Sequence, residues 1–156
     1  MNTMLVEGPR VLAFAAATGR VGSVFLIGDR LIDWHISNKA AESKVEAAGH
    51  AQTLINRFVP DVVVTEDLEA ASSKGEHTLS LLSAISTTAA HNGLFDVSVP
   101  RKHLYANKYV EADALVEEYP ELAPWKPAQR RFYDNEPRNT VLFEALSLAL
   151  LMRDQA

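Results

Sequence analysis

The strongest constraint on the fold is a run of three apolar segments joined by very short links. The segments span residues 10–16, 21–27 and 30–36, and the second and third are separated by Gly28-Asp29. Two segments rich in β-branched and aromatic residues around a two-residue glycine turn are typical of a β-hairpin. The chain is therefore predicted to begin with three consecutive antiparallel strands.

The glycines in this region also suggest a nucleotide site, which the surrounding pattern argues against. Many dinucleotide-binding domains begin with a strand running into a segment like Ala17-Thr18-Gly19-Arg20-Val21-Gly22, and they place the pyrophosphate at the N-terminus of the next helix. Here Gly22 is followed by Ser23-Val24-Phe25-Leu26-Ile27, which favours a strand. We expect a bend between strands, and a helix directly after Gly22 would be needed to restore the nucleotide-binding hypothesis.

The rest of the chain alternates helices and strands. A helix capped by Ser37-Asn38 is predicted to reach about Phe58, and residues 61–65 are typical of a strand covered on both faces. The later predicted elements are a helix from a capping-box pattern at 73–76 to Gly93, a strand at 94–99, a short helix at 110–119, irregular structure after Pro120, and a helix from Pro137 to Met152. This order predicts a single α/β domain over residues 1–156, with a mixed sheet of three antiparallel strands then two parallel, flanked by helices.

Composition narrows the classes of function. The chain contains no cysteine, which excludes disulfides and thiolate metal sites. No apolar run approaches the roughly 20 residues that span a bilayer, and residues 1–7 lack the features of a signal peptide, so we expect a cytoplasmic protein without membrane contact. The net charge of −5 argues against broad electrostatic binding to nucleic acid and leaves open binding through a local basic face.

Three stretches carry a resemblance to a known family. They are residues 11–18 followed by Gly22-Ser23-Val24, the strand Val62-Val63-Val64-Thr65-Glu66, and the helical segment Glu144-Ala145-Leu146-Ser147-Leu148-Ala149. Together they resemble the RuvC-type Holliday-junction resolvases of the ribonuclease H-like superfamily. The resemblance implies a ribonuclease H-like fold, a homodimer, branched DNA or structured nucleic acid as partner, and Mg²⁺ as cofactor.

The resemblance also implies a set of catalytic residues, of which this chain keeps half. In that family four carboxylates hold two Mg²⁺ ions, which clamp the attacking water and the leaving oxygen of a phosphodiester. The matching acids here are Glu66 and Glu144, expected as catalytic residues and metal ligands. Ala15 and Val141 stand where the other two carboxylates are expected. The departure implies weakened or lost cleavage, and close packing of strand and helix is the alternative interpretation of Ala15.

Other acids in these regions have ordinary alternatives. Asp67 and Glu69 are expected to face water, and Asp134 and Glu136 either replace the lost ligands or complement a helix dipole. Glu144 is more informative, because it is the only charged residue between Thr140 and Met152. An unpaired buried carboxylate is costly, so Glu144 must pair with a cation, bind a metal or lie on an exposed edge of its helix.

Two basic clusters are interleaved with aromatic residues in the region of weak pattern between residues 101 and 135. The candidate nucleic-acid contacts are Arg101, Lys102, Lys108, Arg130 and Arg131. A solvated surface with packing aromatics is the alternative interpretation. A rival to the nuclease-like function is a non-catalytic assembly protein that retains the ribonuclease H-like fold, which the acidic charge and missing ligands favour.

Overall fold

The sheet contains five strands in the order β3-β2-β1-β4-β5. A computed structural model describes residues 8–69, 71, 74–101, 105, 107–127 and 139–155. The strands are β1 (Arg10–Ala17), β2 (Arg20–Ile27), β3 (Arg30–Ser37), β4 (Val62–Glu66) and β5 (Phe95–Val99). The first three pair antiparallel, β4 runs parallel to β1, and β5 runs parallel to β4. The predicted mixed sheet, three antiparallel strands then two parallel, is confirmed.

Two tight turns join the first three strands, as the glycine spacing predicts. Gly19 and Gly28 occupy these turns with φ of +79° and +59°, a backbone region that favours glycine. Strand β2 continues unbroken through Gly22 to Ile27. No helix follows Gly22, so the hypothesis of a dinucleotide phosphate site at these glycines is wrong.

Helices cover both faces of the sheet. They are α1 (Lys44–Phe58), α2 (Glu76–His91), α3 (Lys108–Glu118) and α4 (Thr140–Gln155). Side chains of β1 alternate between two cores, since successive residues of a strand point to opposite faces. Leu12 and Phe14 pack with residues of α1 and α2, whereas Ala13 and Ala15 pack with residues of α3 and α4.

The first helix begins later than predicted. A short 3₁₀ helix at Lys39–Ala41 follows its N-cap Asn38, and the hydroxyl of Ser37 accepts from the backbone N–H of Ala40 at 3.0 Å. Ser43, in extended conformation, is the N-cap of α1 and accepts from the N–H of Glu46 at 3.1 Å. The predicted start at Ser37-Asn38 was therefore wrong, because a second capping serine six residues later opens the α-helix.

The buried face of α1 is formed by Ala47, Ala51, Leu54 and Ile55. Val45, in the first turn, is 79% exposed. The buried positions recur at helical spacing, so one face of the helix packs against the sheet.

The remaining elements follow the predicted order with shifted ends. Strand β4 ends at Glu66 itself, and α3 begins at Lys108 because the Asn107 side chain accepts from the N–H groups of Tyr109 and Val110. Gly93, with φ of +72°, follows α2 as the predicted terminating glycine.

A 3₁₀ helix at Pro120–Trp125 replaces the irregular structure predicted there. Ser73 and Pro137 lie outside the described residues, and within the described ranges no helix is long and apolar enough to cross a membrane.

Candidate functional site

The structure brings Glu66 and Glu144 together. Glu66 is the last residue of β4, at the carboxyl end of the strand that runs parallel to β1. Glu144 lies in the second turn of α4, which packs across β1 and β2. Both carboxylates contact the same ammonium group, that of Lys74. The two acids, 78 residues apart in sequence, therefore share one site at the carboxyl edge of the parallel strands.

Lys74 lies between the two acids and contacts a third oxygen on β1. Its Nζ is 3.1 Å from Oε1 of Glu66 and donates hydrogen bonds to Oε1 of Glu144 and, at 2.8 Å, to the carbonyl oxygen of Ala16. The contact with Glu66 is electrostatic, since Oε1 of Glu66 receives no aligned hydrogen bond. An ammonium has three N–H donors, and three oxygens from three elements surround this one.

The site is largely withdrawn from solvent. Side-chain exposure is 21% for Lys74, 6% for Glu66 and 13% for Glu144. Burial is the largest single influence on the pKa of Lys74 and lowers it, but Glu144 and then Glu66 together outweigh burial and raise the pKa above its usual value. Lys74 is therefore a cation at neutral pH, and it provides the pairing that a buried Glu144 requires.

The two positions that lack the expected carboxylates lie in tightly packed apolar structure. Ala15 and Val141 are each 1% exposed and belong to the core under α4. Ala15 pairs across the sheet with Gly22, and a Cβ added to Gly22 would lie 2.8 Å from the carbonyl oxygen of Val141. Small residues on β1 and β2 thus let α4 approach the sheet closely, and this packing surrounds the position where a metal-ligating aspartate is expected.

The donor set does not fit the magnesium site that the resemblance implies. Mg²⁺ requires octahedral oxygen ligands, usually carboxylates and water. Here two carboxylates are already engaged by one lysine. Within the described part of the chain, no three carboxylate or imidazole side chains form a cluster that holds a metal ion.

A second buried charge pair lies nearby and was missed by sequence reasoning. Glu111 of α3 is 5% exposed and forms an ion pair with Arg101, which follows β5. Burial raises the pKa of Glu111, while Arg101 and a hydrogen bond from Ser147 oppose that rise and Glu144 adds to it. Glu111 shares the buried face of its helix with Ala112 and Leu115. The sequence signal for this buried acid is that Glu111 occurs at the helical spacing of the apolar residues on the same face of α3.

A polar cleft opens beside Lys74 and Glu144. Its volume is about 290 Å³, and its lining residues come from the β1–β2 turn, the start of α2 and the start of α4: Ala17, Thr18, Arg20, Lys74, Gly75, Thr78, Thr140, Val141 and Glu144. Gly75 is the N-cap of α2 and offers no capping side chain, so the positive end of this helix opens on the cleft. The hydroxyl of Thr140 is buried and has no hydrogen-bond partner among the described residues.

The other predicted site residues are distributed as follows. Arg101 is engaged with Glu111, and Lys108 is the first residue of α3, with its Nζ 5.9 Å from the ring centroid of Tyr109. The carboxylate of Asp67 accepts a hydrogen bond from the backbone N–H of Glu69. Glu69 itself is an exposed residue. The residues that lie outside the described part of the chain are Lys102, Arg130, Arg131, Asp134 and Glu136. The sequence marks Lys74 only as part of the helix-capping pattern at residues 73–76.

Comparison with solved structures finds matches that span nearly all of the chain. Thermus thermophilus RuvC matches with a TM-score of 0.55 and 15% identity over 94% of this chain and 96% of that chain. T. thermophilus RuvC in complex with a Holliday junction substrate gives 0.54 and 16% over the same shares. The yeast mitochondrial Holliday junction resolvase gives 0.52 and 15% over 93% of this chain and 78% of that chain. At these identities the similarity shows a shared ribonuclease H-like fold.

Comparison with protein-family models and with curated proteins finds no match.

Proposed function

We propose that this chain is a cytoplasmic protein that binds branched or otherwise structured nucleic acid and has lost two-metal cleavage. The observation that carries the proposal is the lysine between the two acids, in a fold shared with resolvases over 94% of the chain. One of those neighbours is described in complex with a Holliday junction substrate. The fold supports nucleic-acid binding, and the altered site supports loss of chemistry.

The cleft at the carboxyl edge is suited to a phosphate group. Arg20 brings positive charge to its wall, Lys74 offsets the charge of Glu144 there, and the N-terminal end of α2 adds the partial charge of the helix dipole. The unpartnered hydroxyl of Thr140 supplies a donor for a phosphate oxygen. Phosphate contacts of this kind position a nucleic acid without reading its sequence. Lys102, Lys108, Arg130 and Arg131 remain candidate phosphate contacts in this proposal.

Loss of cleavage follows from the ligand count. In-line phosphodiester hydrolysis by this family's mechanism needs two divalent ions to hold the attacking and leaving oxygens. Ala15 and Val141 offer no oxygen ligand from their side chains, and Glu66 and Glu144 are neutralised in part by Lys74. We therefore propose that the magnesium dependence implied by the resemblance has been lost together with the nuclease activity.

The test is binding of a fluorescent four-way DNA junction, with a linear duplex of equal length as competitor, measured by anisotropy in EDTA. We expect the junction to bind at least about tenfold more tightly than the duplex and to remain intact when Mg²⁺ is added. Arg20→Gln should weaken junction binding, because it removes a positive charge from the cleft.

The matched control is Lys39→Gln, which removes the same charge from an exposed side chain on the α1 side of the sheet. It should leave the affinity for the junction nearly unchanged. Equal affinity for junction and duplex, or cleavage of the junction in Mg²⁺, would contradict the proposal.

A second candidate is an assembly protein that keeps the fold and binds no nucleic acid. The net charge of −5 favours it. So do the ion pairs of Lys74 with Glu66 and of Arg101 with Glu111, which engage these two cations within the protein. Absence of junction binding, together with a stable oligomer by light scattering, would support this candidate. A homodimer is proposed under either function, and a monomer by light scattering would contradict it.

A further inference from the structure

We infer that the Lys74 ammonium takes the place of a divalent metal ion between Glu66 and Glu144, so that the site carries its cation as part of the chain and is closed to Mg²⁺ and Mn²⁺. The inference extends the proposed loss of cleavage but does not need nucleic-acid binding to be correct. It concerns which cation the two acids hold.

The surroundings of the ammonium match the chemistry of a hard cation's ligands. Two carboxylate oxygens and one backbone carbonyl oxygen face the same nitrogen, and they come from β4, α4 and β1. Carboxylate and carbonyl oxygens are the ligands that Mg²⁺ and Ca²⁺ take in proteins. The separation of 2.8 Å to Ala16 suits an N–H···O hydrogen bond and that of 3.1 Å to Glu66 suits an ion pair, and both exceed the roughly 2.1 Å of a magnesium–oxygen bond.

Lys74 is held in this position by the backbone on both sides. Its N–H donates to the carbonyl oxygen of Ala71 at 2.9 Å, and the next residue, Gly75, is the N-cap of α2. About four-fifths of its side chain is removed from solvent. A divalent ion entering the site would have to displace this ammonium or bind beside it against direct repulsion.

The charge count also favours a single built-in cation. Four carboxylates and two divalent ions, as the resemblance implies, sum to zero. Two carboxylates alone sum to −2, and Lys74 reduces this to −1 without a metal ion, so the built-in cation removes half of the negative charge that would attract a divalent ion. Without the lysine, Glu66 and Glu144 would be two like charges in a largely buried site, which is the arrangement that recruits a divalent cation.

The test measures Mn²⁺ binding to the full chain without nucleic acid, by isothermal titration calorimetry and by thermal shift. The variants are Lys74→Ala and Lys74→Gln, the second of which keeps an N–H donor for Ala16 and Glu144 if the first fails to fold. We expect the wild type to show no Mn²⁺ binding that depends on Glu66. We expect at least one Lys74 variant to bind Mn²⁺ at least about tenfold more tightly than wild type and to be stabilised by it.

Adding Glu66→Gln to each Lys74 variant should abolish the gained Mn²⁺ binding, and Lys39→Ala should gain none, because its ion pair with Glu46 lies elsewhere on an exposed surface. Folded Lys74 variants of which none gains Mn²⁺ affinity would overturn the inference. So would a wild type that binds Mn²⁺ through Glu66 as tightly as the variants do. Neither result depends on the junction assay, so this inference and the proposed function fail separately.

Discussion

The two faces of the sheet are built on different principles. The face under α3 and α4 combines very close helix packing with buried charge, in the cluster of Lys74 with two acids and in the pair of Arg101 with Glu111. The face under α1 and α2 is packed by alanine, leucine and phenylalanine side chains. His50, a half-buried titratable group on this face, has its ring edge-on to Phe14. Buried ion pairs are thus found on the α3 and α4 face, and apolar packing predominates on the other.

The difference explains why the charged face carries the candidate site. Parallel strands β1 and β4 end at the same edge, and ligands of open α/β sheets bind outside the carboxyl ends of strands. Helix α4 begins at this edge and lies close over β1 and β2, so its first turns deliver Glu144 beside Glu66. On the other face, α1 and α2 pack chiefly against each other and the sheet. Substitutions on the two faces should therefore change the free energy of unfolding by different amounts and for different physical reasons.

The largest effect is expected from breaking the charge cluster on the α4 face. Lys74→Ala leaves Glu66 and Glu144 buried without a counter-charge and should lower the free energy of unfolding by about 2–4 kcal/mol. Urea denaturation without divalent cations measures this loss. The triple variant Lys74→Met, Glu66→Gln, Glu144→Gln removes every charge and should be much closer to wild type. A triple variant as unstable as Lys74→Ala would show that the loss comes from packing.

A smaller effect is expected from adding one methyl group on each face. Gly22→Ala directs a Cβ to within 2.8 Å of the Val141 carbonyl oxygen, so α4 must shift, and we expect a loss of about 1–3 kcal/mol. Gly49→Ala, inside α1, meets no atom within 4 Å and should stabilise the protein by about 0.5–1 kcal/mol. Opposite signs in urea denaturation would confirm the contrast, and equal effects would contradict it.

The smallest effect is a pH dependence that originates on the α1 face. The pKa of His50 is lowered to about 4 by burial, with smaller contributions from His35 and Arg57. Because the unfolded chain binds this proton near pH 6.5 and the folded chain does not, the contribution of His50 to stability is complete above pH 6.5. It is lost as the pH falls from 6.5 to 4. Allowing for screening of a half-exposed ring, we expect a loss of about 1–2 kcal/mol.

Comparison of His50→Gln with wild type across this range isolates the contribution, because other titrating groups are shared. The stability of the variant relative to wild type should rise as the pH falls from 6.5 to 4. His91→Gln, at an exposed histidine that ends α2, is the control and should follow the wild-type curve. A His50→Gln curve parallel to wild type would contradict the lowered pKa.

The sequence predicts the three antiparallel strands and Glu144 from local or periodic patterns. The hairpins follow from short glycine turns, and Glu144 interrupts an apolar helix and therefore requires a partner. Glu66 is predicted through the resemblance, because it ends the apolar segment Val62-Val63-Val64-Thr65-Glu66.

Local patterns do not predict that Lys74 is the partner of Glu144. Lys74 contacts Ala16 and Glu144, which lie 58 and 70 residues away in sequence, and only the path of the chain between β4 and α2 brings them together. The start of α1 was wrong for a related reason, because Ser37 and Ser43 are both good caps and tertiary packing assigns them to different helices. The choice among locally equivalent residues is made by the tertiary fold.

Because α4 packs closely against Gly22, the carboxylates that are absent at positions 15 and 141 are difficult to introduce one at a time. A carboxylate introduced at position 15 would arrive beside this contact, where neither Gly22 nor the Val141 backbone leaves spare volume. Introducing both carboxylates therefore requires compensating substitutions around Gly22 and Val141, each of which is unfavourable alone.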